Sequence, residues 1–462
     1  MPSRLPHSAS PSPSHRTSSR KPLPHRLEGK PTWSGAVSLF PPLPKDVCTL
    51  LTRLPEALHR IRPLKSAHKR SLPDDVAALS QILTRERDKL DRPYWANPAY
   101  VSAYLYYFLP WNLIRLTRLL TALPLPDPCC GQGSQALLVD MGSGPLTLPL
   151  ALWLARPQWR SAPVSVLALD TSPQPLQLGR ALMETLGLLT GFPVWPIHTA
   201  KAPMKQAARQ AAPFLNKGHP WLLSAANVLN ETQAFSPRHD ANSKYLATIE
   251  PENGEDEDFE ESHLDDLLTS LAPLLKPFGD HSADCPAWPA LLFVEPGTRL
   301  GGSTVMRLRK TAMDEGLTVL APCTHQHPCP LHQSRTWCHF TFDSTGAPTW
   351  LTDLSAAAGL AKNALSLSPL LLSSSTPTRA ESGCGRQARV ISSPMKVPHL
   401  HGKARYACSA QGLLLLEDSE RLSCGDSLPI RLPCDGQLDR KSGARLVRPA
   451  VTKAGHGPGR DK

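Results

Sequence analysis

The chain of 462 residues has no stretch of about 18 apolar residues, the length a membrane helix needs. Its start lacks the apolar segment of a secretory signal. The most apolar run, Leu146 to Leu154, suits a short buried helix instead. Without a route to an oxidising compartment, its eleven cysteines do not read as a disulfide framework. No internal repeat is visible, and no acidic residue precedes Glu28. That acid-free start carries Arg4, Arg16, Arg20, Lys21 and Arg26 among serine, proline and histidine. Such a composition fits a disordered basic tail on a bacterial cytoplasmic protein. The alternative is a transit peptide to the mitochondrial matrix, although recurring proline works against an amphipathic helix.

Proline is abundant, at 49 residues, roughly twice its usual frequency, and implies long irregular connectors. The net charge of +11 and a pI near 9.2 favour a polyanionic partner such as nucleic acid. The length calls for two or three structural units. Residues 1–45 read as a disordered basic tail. Residues 46–125 read as helical, with Asp74 and Asp75 capping one helix and a second, from Tyr100 to Leu123, broken at Pro110. From 126 to 372 strand and helix alternate, the signature of a mostly parallel sheet. Residues 373–462 read as a linker, a small β module and a second basic tail with Arg440, Lys441, Arg445, Arg448 and Lys453. The acidic stretch from Glu250 to Asp266 reads as a solvated loop leading into a helix at Leu264.

Two constellations carry chemistry. The first is Val139-Asp140-Met141-Gly142-Ser143-Gly144-Pro145-Leu146-Thr147, which follows a predicted strand and opens a helix. Gly142 and Gly144 permit a tight turn and close approach of a ligand, and the helix start offers free N–H groups. Asp170 ends the next strand, where a carboxylate can accept ribose hydroxyls. Asn227 ends the fourth strand and faces the same crevice.

The second is a proline-stiffened loop holding Cys323, Cys329 and Cys338, with five and then eight residues between them. Gathered thiolates bind a soft metal or an iron–sulfur cluster, and a cluster usually takes four. Cys408 is the natural fourth, with Cys384 its rival. The nearby His325, His327, His332 and His339 keep a zinc site open.

The order of these pieces resembles the class I S-adenosylmethionine-dependent methyltransferase fold, an α/β Rossmann-like sheet. Leu146 stands where that family's loop has its third glycine, and its side chain is expected to narrow the cofactor pocket. The blocks Asp140-Met-Gly-Ser-Gly-Pro, Ala225-Ala-Asn-Val-Leu-Asn-Glu231, Val294-Glu-Pro-Gly-Thr298 and Cys323…Cys329-Pro330…Trp337-Cys338-His339-Phe340 resemble the methyltransferase-like protein 17 family. Its members are small-ribosomal-subunit assembly proteins of mitochondria, with bacterial relatives. That resemblance implies a 4Fe–4S cluster on Cys323, Cys329, Cys338 and Cys408. It also implies association with the small subunit and its rRNA, while the class I resemblance implies a candidate S-adenosylmethionine site at Asp140, Gly142, Gly144, Asp170 and Asn227. Two other functions stay open: an active rRNA methyltransferase, and a zinc-stapled RNA-binding protein without catalysis.

Overall fold

The structure, a computed structural model, describes residues 33–85, 93–128, 135–216, 218–229, 255–276, 289–332, 334, 336–374, 387–432 and 436–449. Its centre is an eight-stranded sheet. The strands are β1 (Gln135–Met141), β2 (Val164–Asp170), β3 (Ile197–Lys201), β4 (Gly218–Ala226), β5 (Ala290–Pro296), β6 (Thr318–Ala321), β7 (Phe340–Asp343) and β8 (Ala364–Ser373). They lie in the order β3-β2-β1-β4-β5-β8-β6, with β7 also on β8. The first five are mutually parallel, and β8 runs antiparallel to all its neighbours. Five parallel strands followed by one reversed strand are the class I methyltransferase topology, so the fold is of that class.

Residues of these strands alternate between two cores, as the two-residue strand period requires. Ala136 and Leu138 of β1 join Val166, Leu292 and the helices Lys45–Ile61, Leu109–Ala122 and Thr147–Ala155 in one core. Leu137, Val139 and Met141 join Leu167, Phe293 and the helices Glu255–Leu271 and Arg299–Asp314 in the other. Continuous apolar strands such as β1 are what burial on both faces demands.

The strands β6 and β7 are two halves of one edge. Ala321 pairs with Leu371 and Phe340 with Leu367, so both run along β8 in the same direction. The cysteine loop, residues 322–339, is extruded between them. Ser368, opposite the break, donates its hydroxyl to the Cys338 carbonyl at 2.8 Å. Pro369, which has no N–H to give, also sits where β8 has no partner from β6 or β7.

A second sheet of six strands follows: β9 (Gln387–Val390), β10 (Met395–Lys396), β11 (Lys403–Ser409), β12 (Gly412–Leu416), β13 (Ser427–Pro429) and β14 (Arg445–Val447). Arg445 belongs to β14, and Arg448 pairs with Glu417 at 2.8 Å. These two expected tail cations are therefore built into the module, whereas Lys453 lies outside the described residues.

Three further expectations change. Residues 33–44, expected within the N-terminal tail, pack on the rest of the fold, whereas residues 1–32 lie outside the described residues. Val37 bridges Ser427, Phe40 stacks on Phe342 with centroids 4.3 Å apart, and Leu39 is buried; these apolar residues hold a segment whose composition is otherwise that of a tail. The acidic stretch is helical from Glu255, because its apolar partners Leu264, Leu267, Leu268 and Leu271 extend one helix toward the N-terminus. Near Pro110 the chain does not break. A π turn at Tyr104–Phe108 passes directly into the helix Leu109–Ala122, so the helix is widened just ahead of Pro110, which has no N–H to give.

Arg118 connects the ordered N-terminal segment to this body. Only 5 % exposed, it donates to the carbonyls of Phe40 (2.9 Å), Pro41 (3.0 Å) and Asp343 (2.7 Å) and lies over the Phe342 ring. Replacing it would leave three carbonyls without their donor. Arg118→Ala is expected to lower stability by about 3 kcal/mol, read as a drop in the urea midpoint of the full-length protein. A surface change such as Arg53→Ala should leave that midpoint within about 0.5 kcal/mol of wild type.

Candidate functional site

At the carboxyl end of the parallel strands, the turn after β1 is folded onto its neighbours. Gly142, Gly144 and Leu146 all have positive φ, at 66°, 53° and 58°. Asp140 is 1 % exposed, and its two oxygens accept from Ser143 within the turn and from Ser224 of β4. Burial pushes this carboxyl up to about 7, against the two hydroxyl bonds that hold it down. Ser143 N–H goes to the Leu169 carbonyl at 2.9 Å and Thr147 N–H to the Ser143 carbonyl at 3.2 Å. Gly144 N–H goes to Asp170 Oδ2 at 3.0 Å, while Ser172 N–H takes Asp170 Oδ1 at 2.8 Å. Burial raises the Asp170 carboxyl as well, opposed by these backbone donors.

The segment after β4 closes over this turn. Asn227 has φ 59°, and its side-chain oxygen accepts from Arg115 Nη2 at 2.8 Å. The Arg115 guanidinium also reaches the Ser366 carbonyl, and burial lowers it to about 10 although Glu295 favours its charge. Glu295, fully buried at the end of β5, accepts from the N–H groups of Val228 and Leu229, both at 2.9 Å. Val228 is thereby seated on Gly142, where a Cβ would come within 2.4 Å of its side chain. Leu146 does not narrow the crevice as expected. Its side chain turns into the core under the helix Pro173–Thr190, where Gly179 leaves room: a Cβ there would meet Leu146 at 2.7 Å and the Pro145 carbonyl oxygen at 2.5 Å. Val228 packs on the face of Gly142, and each Asp170 oxygen accepts one backbone N–H, which leaves an acceptor site on each.

The four candidate ligand cysteines do come together. Cys323, Cys329 and Cys338 sit on the extruded loop and Cys408 on β11, whose neighbour β9 is joined to the loop by Thr324 donating to the Gln387 carbonyl at 3.1 Å and by Arg389 donating to the Pro322 carbonyl at 2.9 Å. Burial drives the Cys338 thiol well above its ordinary value, reinforced by Cys323, Cys329, Cys408 and then Cys424. Burial raises Cys408 as well, again reinforced by Cys323 and Cys329. A shared, desolvated space of this kind favours neutral thiols unless a cation compensates their charge. His325 is 5 % exposed, with Nε2 3.3 Å from Cys408 Sγ and Nδ1 lacking any hydrogen-bond partner. Burial, and next Arg309, lower this imidazole to about 4. Among the described residues no three His, Cys, Asp or Glu side chains are set as ligands of a single metal ion. Cysteine thiols that reinforce one another's shift in this way are the donor type that iron–sulfur groups take.

Two features escaped the sequence. Cys424, not among the expected ligands, lies near Cys338, and Arg309 and Arg389 border the thiols from helix Arg299–Asp314 and β9. Nothing in spacing or periodicity marks these three, since each reaches the loop only through tertiary packing. Cys384, the rival fourth ligand, and Cys129, Cys130, Cys285, Cys434 and Glu231 lie outside the described residues.

Residues 282–348 match the family model described as mitochondrial small ribosomal subunit Rsm22. The match includes β5, the helix Arg299–Asp314, and the loop with three of the four cysteines. No curated protein matches the chain. Among solved structures, a human methyltransferase 10 domain containing protein is similar at 12% identity and TM-score 0.25, over 66% of this chain and 98% of its own. A precorrin-6y C5,15-methyltransferase from Geobacter metallireducens is similar at 12% and 0.26, over 56% and 84%. The rRNA methyltransferase AviRa from Streptomyces viridochromogenes is similar at 14% and 0.23, over 41% and 74%. The fold assignment rests on strand order and direction.

Asp140 gives a test of the closed turn. Its folded-state value near 7 exceeds that of an unfolded carboxyl, so between about pH 4 and pH 7 the native state binds the extra proton and this group's stabilisation fades as pH rises. Asp140→Asn removes that titration while keeping an acceptor for Ser224. The stability of wild type relative to Asp140→Asn, from urea unfolding at pH 5 and pH 8, is expected to be lower at pH 8. A difference independent of pH would mean that the carboxyl is ionised throughout.

Proposed function

We propose that this chain is a methyltransferase-like factor of the small ribosomal subunit, that its cysteine loop and β11 hold a 4Fe–4S cluster, and that its crevice serves as a scaffold without methyl transfer. The observation that carries this reading is the convergence of Cys323, Cys329, Cys338 and Cys408, three of them inside the segment similar to a small-subunit family. A single zinc ion would draw its sulfurs to about 3.8 Å of one another, from bonds near 2.3 Å in a tetrahedron. A cubane takes one thiolate on each of its four irons and spaces them more widely. The cluster would supply four iron–thiolate bonds and a one-electron centre. The chain's own residues build the cradle: prolines stiffen the loop, Arg389 ties it to β9, and Ser368 holds the Cys338 carbonyl.

The positive charge of the chain suits rRNA, to which lysine and arginine bring sequence-independent affinity. The description of the matching family supports the mitochondrial alternative over a bacterial cytoplasm. Among the described residues no helix is long and apolar enough to cross a membrane. The scaffold reading draws on the closed turn. Val228 on Gly142 and Arg115 on Asn227 occupy positions at which cofactor and acceptor would otherwise be bound.

Anaerobically purified protein is expected to be brown and to contain iron and acid-labile sulfide in equal amounts. Single serine replacements of Cys323, Cys329, Cys338 or Cys408 should each remove most of the iron, whereas Cys48→Ser should keep it. Zinc in place of iron would favour the stapled RNA-binding protein. Full iron in Cys408→Ser would transfer the fourth position to Cys384 or Cys424.

Calorimetry with S-adenosylmethionine is expected to give no binding heat. Binding by the wild type that Asp170→Ala abolishes would instead support an active methyltransferase.

A further inference from the structure

We propose that Arg309 is a positioning and charge-compensating residue for the metal group, acting with Arg389. The inference rests on the cluster reading above. Arg309 is 5 % exposed and projects from the helix Arg299–Asp314 into the base of the cysteine loop. Its Nε donates to Cys323 Sγ at 3.3 Å. Its Nη2 donates to the carbonyls of His325 at 3.3 Å and His327 at 2.7 Å. One planar guanidinium thus fixes the first ligand sulfur and the backbone that leads toward the second. Lysine cannot reproduce this fork, because its ammonium is a single point of donation.

Arg389 approaches from β9. It donates to the Pro322 carbonyl at 2.9 Å and the Gly425 carbonyl at 2.7 Å, so it holds the other flank of Cys323. Burial lowers it to about 10, and Cys323, then Asp426 and Cys338, are the negative groups that favour its charge. A buried cation needs an anion nearby. Of the acidic side chains in the vicinity, Asp426 accepts from the N–H of Ser423, and among the described residues no carboxylate is bonded to Arg309. Four cysteinate ligands bring more negative charge than an iron–sulfur core neutralises, so the bound group is an anion. Two arginines placed beside one ligand cysteine are what such an anion requires in a desolvated pocket. A hydrogen bond to a ligand sulfur and a nearby positive charge both favour the reduced cluster, and so raise its potential.

The test uses the full-length protein, purified without oxygen. Iron and sulfide are measured first, then the midpoint potential by titration followed by electron paramagnetic resonance, then iron release to a chelator. Arg309→Gln is expected to hold iron at the wild-type ratio, to have a more negative midpoint, and to release iron several-fold faster. Arg309→Lys, which keeps the charge but loses the fork, should fall between the two in potential and match Arg309→Gln in release rate. Wild-type potential and release rate in Arg309→Gln would overturn the proposal. If Arg309→Gln fails to fold, Arg309→Lys decides, and wild-type release from it overturns the positioning role. Wild-type protein without iron would overturn the cluster reading itself, and this inference with it, which separates the two failures.

Discussion

The antiparallel strand β8 is the constraint on which the rest of the molecule depends. Its ten residues bond to β5 along one side and to both halves of a divided edge along the other. Because β8 is anchored on β5, the opposite edge can open without unravelling the sheet. The extruded loop therefore starts and ends on fixed backbone, only a few residues of β8 apart. That is what allows three cysteines separated in sequence to be held in one small volume, with the second sheet delivering a fourth.

The same architecture accounts for the state of the crevice. In a parallel sheet, strand ends converge on one side, and the polar groups there must be satisfied by ligand, water or protein. Here the protein satisfies several of them itself, while Arg115 Nε has no hydrogen-bond partner among the described residues. Glu295 caps the segment after β4, Arg115 engages Asn227, and Asp140 and Asp170 hold the turn between them. These bonds also connect the crevice to the cysteine loop, since the helix that follows Glu295 and Thr298 carries Arg309. Thr298 caps that helix by accepting the Gly301 N–H at 3.2 Å, which sets where Arg309 emerges three turns later.

Much of the parallel core was legible because its strands are apolar runs that end in Asp, Asn or Glu and are followed by helix signals. β1, β2, β4 and β5 announce themselves in this way. β8 does not: Pro369 interrupts an otherwise apolar run and argues against a central strand, and only the break between β6 and β7 makes it tolerable. Leu146 was legible as a departure but not in its effect. Whether a leucine points into a pocket or a core depends on the helix above it, and the glycine that admits it, Gly179, is 33 positions away. The cysteines were legible as a cluster because their spacing is local. The arginines that serve them were not, for a buried cation carries no periodic signature.

The segment from Trp33 to Pro44 links the earliest described part of the chain to nearly the last. The Trp33 indole donates to the Glu417 carbonyl across 384 positions, and Val37 exchanges backbone bonds with Ser427. During synthesis from the N-terminus, these residues leave the ribosome long before their partners exist. Phe40 can meet Phe342 and Arg118 earlier, but the backbone bonds of Val37 and Leu39 wait for Ser427 and Gly425. Contacts of such long sequence separation form slowly, so this segment docks late among the described elements.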